Sequence, residues 1–247
     1  MSVTVTAKDA DGNTATSYTG TVKITSSDSK AVLPANAGLT SGVGSFTVTL
    51  ETVGSQSITA TDTVTSSITG SQTGITVNIA SGIYFVVSGF PSATVAGIAH
   101  NVTVTAKDVY GNVATGYAGT VAITSSDRVA VLPANAGLTS GVGSFTVTLK
   151  TAGSQSITAT DTVNSSITGL QNGITVVAAS LDHIVISPAL PSIVAGDSQA
   201  FTVEAFDQYG NSLGDVTASA TFTAPGAAVT GNSVYATVAS SYTVTAT

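Results

Sequence analysis

Cysteine and tryptophan are absent from the 247 residues, histidine occurs twice, and lysine and arginine together number six. Without cysteine there is no disulfide framework, no thiol nucleophile and no thiolate metal site. Six basic residues against thirteen acidic ones give a net charge of −7, which leaves little to neutralise a phosphate backbone or an anionic membrane surface. No apolar run reaches the roughly 18 residues of a membrane helix. Met1 leads straight into Ser2-Val3-Thr4-Val5-Thr6-Ala7, which reads as a strand and not as a secretory leader. Charged residues make up only 8% of the chain, against roughly a quarter in an ordinary globular protein, so Ser, Thr and Asn must supply the polar surface. Disorder is excluded all the same, because 43% of the residues are hydrophobic and can bury a core. Threonine and valine are prominent, and both suit a pleated, half-buried strand.

What is there is a repeat. Ala31–Leu50 recurs letter for letter at Ala130–Leu149, an offset of 99. At that offset Val3–Asn78 aligns with Val102–Val177, and 62 of the 76 positions are identical. A period of this length is too long for a helical repeat or a propeller blade and matches one β-sandwich domain. A third, diverged copy carries Phe201-Thr-Val-Glu-Ala-Phe-Asp-Gln-Tyr-Gly-Asn211 where the second has Val102–Asn112. The copies predict three domains, at 1–80, 81–180 and 181–247. The second opens with the apolar Ile83-Tyr84-Phe85-Val86-Val87, which has no counterpart in the first, and the third stops before the last strand of the second. The first domain is therefore expected to lack its first strand, the third its last, and the chain to be a piece of a longer array.

Alternation places the strands. Val102, Val104 and Ala106 share one face; Val121 with Ile123, Phe145 with Val147 and Leu149, and Ile157 with Ala159 follow the same period of two. Tyr110-Gly111-Asn112, the Leu132–Gly137 block, Ser140–Gly143 and Ala152-Gly153 supply the turns. No window has a helical period. The fold class expected is all-β, a tandem of Greek-key β-sandwiches of about seven strands each, joined by linkers too short for wide hinge angles.

The run Val102-x-Val-x-Ala-Lys-Asp108-x-x-Gly-Asn112-x-Ala-Thr-x-Tyr117-x-Gly-Thr-Val121-x-Ile-Thr-Ser-Ser-Asp127 resembles the bacterial Ig-like repeats, including the invasin/intimin type. The third copy is similar to a shorter subtype. The resemblance implies an immunoglobulin-like sandwich and an extracellular or cell-surface setting within a large adhesive or structural protein. Such modules serve as stalks, adhesins and spacers, so the resemblance does not fix a function.

Residue by residue, the chemistry is sparse. His100 and His183 have no counterparts in the other copies, no Gly-x-Ser-x-Gly elbow accompanies them, and both are expected as exposed residues at strand ends. Asp9, Asp108 and Asp207 head an Asp-x-x-Gly-Asn turn in all three copies. An aspartate there accepts from backbone N–H groups further along the turn. Calcium is the competing reading, since Asp9-Ala10-Asp11-Gly12-Asn13 brings three oxygen donors together. A calcium loop needs more ligands, and Tyr110 and Tyr209 replace Asp11 in the other copies. Tyr18 and Tyr117 are expected as buried rings with hydrogen-bonded hydroxyls, in the manner of a tyrosine corner. Asp62 and Asp161 open Ser/Thr-rich hairpins at 63–74 and 162–173, in which Val64, Ile68, Val163 and Ile167 are expected to pack on the sandwich or on the next domain. Lys23, Ser29, Lys30 and Glu51 become Ala122, Arg128, Val129 and Lys150, a variation expected of solvated faces.

No catalytic, cofactor-binding or metal-ligating residue is expected, and the chain reads as a non-enzymatic, rod-like spacer or stalk segment. Its expected partners are neighbouring Ig-like domains of the same chain, with surface glycans or proteins as further candidates and no nucleic acid or membrane insertion. Two alternatives stand beside it: ligand-binding modules using the 63–74 and 162–173 hairpins, and accessory domains of an extracellular hydrolase.

Overall fold

The computed structural model describes residues 1–247 and contains strands and turns but no helix. It divides into two compact units, Met1–Tyr84 with Ala106–Tyr117, and Phe85–Thr105 with Ala118–Thr247.

In the first unit, β1 (Ser2–Thr6) pairs with β4 (Val43–Thr47). A second sheet has the order β3 (Ala37–Gly38), β2 (Thr21–Ser26), β5 (Gly54–Asp62), β6 (Thr69–Val77). Alternation in the sequence becomes alternation in burial: Val22 and Ile24 on β2 are buried while Thr21, Lys23 and Thr25 face solvent. With Leu39, Phe46, Val48 and Ile58 they form the core, and Val3, Val5, Ala60 and Ile75 pack around it half-buried.

The second unit repeats this plan and completes it. β10 (Thr120–Ser125), β11 (Ala136–Gly137), β13 (Gly153–Asp161) and β14 (Thr168–Val177) reproduce the larger sheet. β12 (Val142–Thr148) pairs with β9 (Ala99–Lys107) in the same register as β4 with β1: Phe145 faces Val102, as Phe46 faces Val3. Two strands are added. β7 (Tyr84–Ser88) lies on the other side of β9, and the chain then crosses over so that β8 (Ala93–Val95) runs parallel to β14. This strap closes the sandwich. Val102, Val104, Val147, Leu149, Ile157, Ala159 and Ile174 are all at 0% exposure.

The third copy lies in the second unit. β15 (Leu181–Ser187), β17 (Thr202–Asp207) and β18 (Ser212–Asp215) form one sheet, and β16 (Ser198–Ala200), β21 (Ser233–Tyr235) and β20 (Ala228–Thr230) another. β19 (Phe222–Thr223) pairs with β22 (Thr245–Ala246). Phe201, Val203, Phe222, Ala224 and Val234 make its core.

Three expectations need correction. The segments 63–74 and 162–173 are not long hairpin loops. Asp62 Oδ1 accepts the N–H groups of Val64 (2.8 Å) and Thr65 (2.7 Å), which closes a short turn, and β6 is already running at Thr69. Nor do the turn valines pack: Val64 is 91% and Val163 93% exposed, because the turn tip lies beyond the last paired residues of the hairpin. His100 is not an exposed strand end. It lies inside β9, half-buried, its Nε2 2.8 Å from Thr94 Oγ1 and its ring edge-on to Phe90 at 5.1 Å, because the strap folds over it.

Candidate functional site

The Asp-x-x-Gly-Asn turn has one internal geometry in all three copies. The carboxylate Oδ1 accepts the N–H two residues on (Asp11 3.0 Å, Tyr110 3.0 Å, Tyr209 2.8 Å) and four residues on (Asn13 2.8 Å, Asn112 2.9 Å, Asn211 2.9 Å). The glycine carries φ of +87°, +82° and +82° at Gly12, Gly111 and Gly210, a conformation that side chains resist. One oxygen is enough to hold the turn. The second oxygen accepts from the asparagine amide in each copy (Asn13 3.3 Å, Asn112 3.0 Å, Asn211 2.7 Å), and both groups can take a further partner.

In the second and third copies those groups are used. Asp108 Oδ2 accepts the Ala80 N–H (3.1 Å), Asn112 Nδ2 donates to the Glu51 carbonyl (2.7 Å), and Asn112 Oδ1 accepts the Val53 N–H (3.3 Å). Asp207 Oδ2 accepts the Ala179 N–H (2.8 Å), Asn211 Nδ2 donates to the Lys150 carbonyl (2.7 Å), and Asn211 Oδ1 accepts the Ala152 N–H (2.7 Å). Every position in one set is 99 residues from its counterpart in the other. Each turn thus joins two parts of the preceding copy, a loop (51–53 or 150–152) and the linker that leaves it (Ala80 or Ala179). Asp108 and Asp207 are both at 0% exposure, whereas Asp9 is exposed and its partners lie within residues 9–13.

The loop that receives the asparagine is itself pinned. Asp28 Oδ2 accepts the Glu51 and Thr52 N–H groups at 2.6 and 2.9 Å, and Oδ1 accepts the Thr52 hydroxyl at 2.6 Å. Asp127 does the same for Lys150 and Thr151 at 2.5, 3.0 and 2.7 Å. The residue whose N–H is held by one aspartate therefore offers its carbonyl to the next copy. Sequence reasoning passed over Asp28 and Asp127, although they stay fixed while their neighbours Ser29 and Lys30 change to Arg128 and Val129.

Two charges read as solvated also reach these joints. Lys30 Nζ donates to the Tyr110 carbonyl (2.9 Å), and Lys150 Nζ lies 5.6 Å from the Tyr209 ring centroid, within cation–π range. Each joint has one lysine, from a different position of the repeat.

Burial pushes the carboxyls of Asp28 and Asp207 up, but donated hydrogen bonds outweigh it. The Thr52 hydroxyl and N–H, with the Lys30 and Glu51 N–H groups, hold Asp28 at about 2. The Asn211 side chain, with the Ala179, Asn211 and Tyr209 N–H groups, holds Asp207 at about 2. Asp108 and Asp127 are lowered as well. A carboxyl depressed in the folded state stabilises above its unfolded value near 3.8 and loses that stabilisation as pH falls through the folded value near 2. Urea denaturation should therefore give a near-constant stability from pH 7 to about 4.5 and a decline between about 4 and 2. Asp207→Asn should flatten part of that decline.

The remaining candidates do not assemble into a reacting centre. His183 stacks on Phe206 at 5.6 Å and faces Asp182, half exposed. Tyr18 is half-buried and donates to Asp62 Oδ2, a bond that, with some burial, pushes the phenol up to about 12. One cavity of about 650 Å³ opens beside Val3, Val5, Ile58 and Gly70, and one of about 440 Å³ lies in the third copy. Neither is lined by a histidine or a carboxylate. No group of three His, Asp or Glu side chains is placed to hold a metal ion.

No family model and no curated protein matches the chain. Solved structures do. The chain is similar to invasin, a bacterial integrin-binding protein, with 18% identity and a TM-score of 0.39 over 99% of this chain and 52% of that one. It is similar to domains 1–6 of the surface-layer protein SbsC, with 22% identity and a TM-score of 0.31 over 96% and 30%. For the Escherichia coli adhesin FdeC the values are 16% and 0.36 over 99% and 86%. The chain thus spans about half of the invasin structure and under a third of the SbsC structure.

Proposed function

We propose that this chain is a non-catalytic spacer segment of a cell-surface or secreted protein, built from Ig-like domains at 1–80, 81–180 and 181–247 that are coupled in series. The single observation that carries the reading is the joint. The same five positions, 51/150, 53/152, 80/179, 108/207 and 112/211, make the same hydrogen bonds twice. A binding site gains nothing from being copied with its neighbour's backbone as the partner. A segment whose task is to hold successive modules at a set orientation does. Each joint spends a buried carboxylate and a carboxamide on backbone groups, so it tolerates changes of side chain on the receiving loop (Glu51 to Lys150, Val53 to Ala152).

Small-angle scattering tests the reading. A chain carrying an extra copy of residues 82–180 between 180 and 181 should gain a fixed increment in maximum dimension, and two extra copies twice that increment. A particle whose dimension hardly grows as copies are added rejects a spacer.

A further inference from the structure

One strand pair of the second copy runs in a direction its neighbours do not share. The pairs β10–β11, β10–β13, β9–β12 and β13–β14 are all antiparallel, but β8 is parallel to β14, with Ala93, Thr94 and Val95 facing Thr175, Val176 and Val177. The ladder continues past both ends of β8. The Thr175 N–H donates to the Ser92 carbonyl (2.9 Å) and the Ala96 N–H to the Val177 carbonyl (2.8 Å). Gln171 extends the row further, its Nε2 donating to the Phe90 carbonyl (2.6 Å) and its Oε1 accepting the Phe90 N–H (3.2 Å). Thr94, Ala96 and Val176 are 8%, 3% and 2% exposed, so the row has little contact with water on its inner face.

This row ties the beginning of the domain to its end. β8 belongs to the segment by which the chain enters, and β14 is the last strand before Ala179, which Asp207 of the third copy holds. In a parallel pair the entering end of one strand and the leaving end of the other lie at opposite ends of the ladder. Phe90 is beside Gln171, and Ala96 is beside Val177. Tension along the chain therefore draws β8 and β14 past each other and loads the bonds from Phe90 to Ala96 together. An antiparallel terminal pair would have its two loaded ends side by side, and its bonds would open one after another. Forced unfolding is governed by the unfolding rate and not by the equilibrium stability, so the direction of a ladder changes its resistance to force even where its hydrogen bonds are equal in number.

We propose that the second copy bears tensile load and that the row between β8 and β14 is the clamp that resists it. The inference rests on the spacer reading, since a segment held between two points transmits tension along its chain. Two residues of the clamp can be altered with little disturbance of the core. Thr175 is exposed and contributes its N–H, and Gln171 is half-buried and reaches the strap through its side chain.

Single-molecule force spectroscopy on the 247-residue chain tests this, with tethers on cysteines appended to the two ends, because the chain has no cysteine of its own. One unfolding event should release the residues between Phe90 and Val177, an extension of about 300 Å at roughly 3.4 Å per residue, and should need the highest force in the trace. Tethering the chain instead through Ser88→Cys and Ser166→Cys, both exposed and on the Phe90–Gln171 side of the row, should open the clamp bond by bond at no more than half that force. With the tethers at the ends, Thr175→Pro removes one N–H from the row and should lower the highest force, as should Gln171→Ala. If Thr175→Pro does not fold, Gln171→Ala decides this arm. Equal force in the two tether geometries, a highest-force event of another length, or a force that neither substitution lowers overturns the inference. The spacer reading fails on different grounds, since it predicts how the particle's dimension grows with copy number and is indifferent to the force each copy withstands.

Discussion

Replacing Asp207 by alanine should lower the unfolding free energy by about 3 kcal/mol, while Asp9→Ala at the aligned position should leave stability almost unchanged. The two residues head the same turn and make the same two Oδ1 hydrogen bonds. They differ in what lies over them. Asp207 is at 0% exposure and its carboxylate serves the N–H groups of Ala179, Tyr209 and Asn211 and the Asn211 side chain. Removing it leaves buried donors unpaired, each with a penalty of roughly 1–3 kcal/mol that partial relaxation reduces. At Asp9 water replaces the carboxylate at once. Asp207→Asn should fall between wild type and Asp207→Ala, because the amide keeps one acceptor oxygen but turns an NH₂ toward other donors. Urea unfolding of the three variants beside wild type makes the measurement, and equal losses at positions 9 and 207 would show that the joint adds nothing beyond its turn.

That contrast also marks the boundary of what could be read from residues in order. The turn was legible because its causes are local: a carboxylate, a glycine at positive φ and an asparagine within five positions. The joint was not, because its second half lies far upstream. Ala80 is 28 residues from Asp108, and Glu51 is 61 residues from Asn112. Backbone groups receive the bonds, so the receiving residues need no particular side chain and leave no motif. The lysines misled for a related reason. Lys30 and Lys150 vary between copies, as a solvated face would, yet each reaches a tyrosine of the following copy. Core strands were legible from their period of two, and the burial patterns of β2 and β10 follow it residue by residue. Where apolar letters fell outside that period, at Val64 and Val163 in the turn, burial did not follow. Composition says which residues prefer a core, but a turn tip gives them no surface to pack against.

The strap makes a second pair of aligned substitutions unequal. Ile174→Ala should cost about 4 kcal/mol and Ile75→Ala roughly half as much, because deleting a buried isoleucine side chain loses its transfer free energy and opens a cavity. Ile174 is at 0% exposure and the cavity would be closed on every side. Ile75 is half-buried beside an open groove, so part of its transfer term is already absent and water can enter the space left behind. The same difference orders the unfolding of the chain. The first copy exposes core positions and a bare β1 edge, and the third has the smaller core of Phe201, Val203, Phe222, Ala224 and Val234. The second copy should therefore be the last to unfold, in a separate calorimetric transition. Ile174→Ala should lower that last transition alone, and Ile75→Ala only an earlier one, since Ile75 packs on the first copy's core and Ile174 is buried in the second copy. A single cooperative transition, shifted alike by both substitutions, would mean that the joints bind the copies into one folding unit; the hydrogen bonds of Asp108 and Asp207 would then rank with the cores in setting stability.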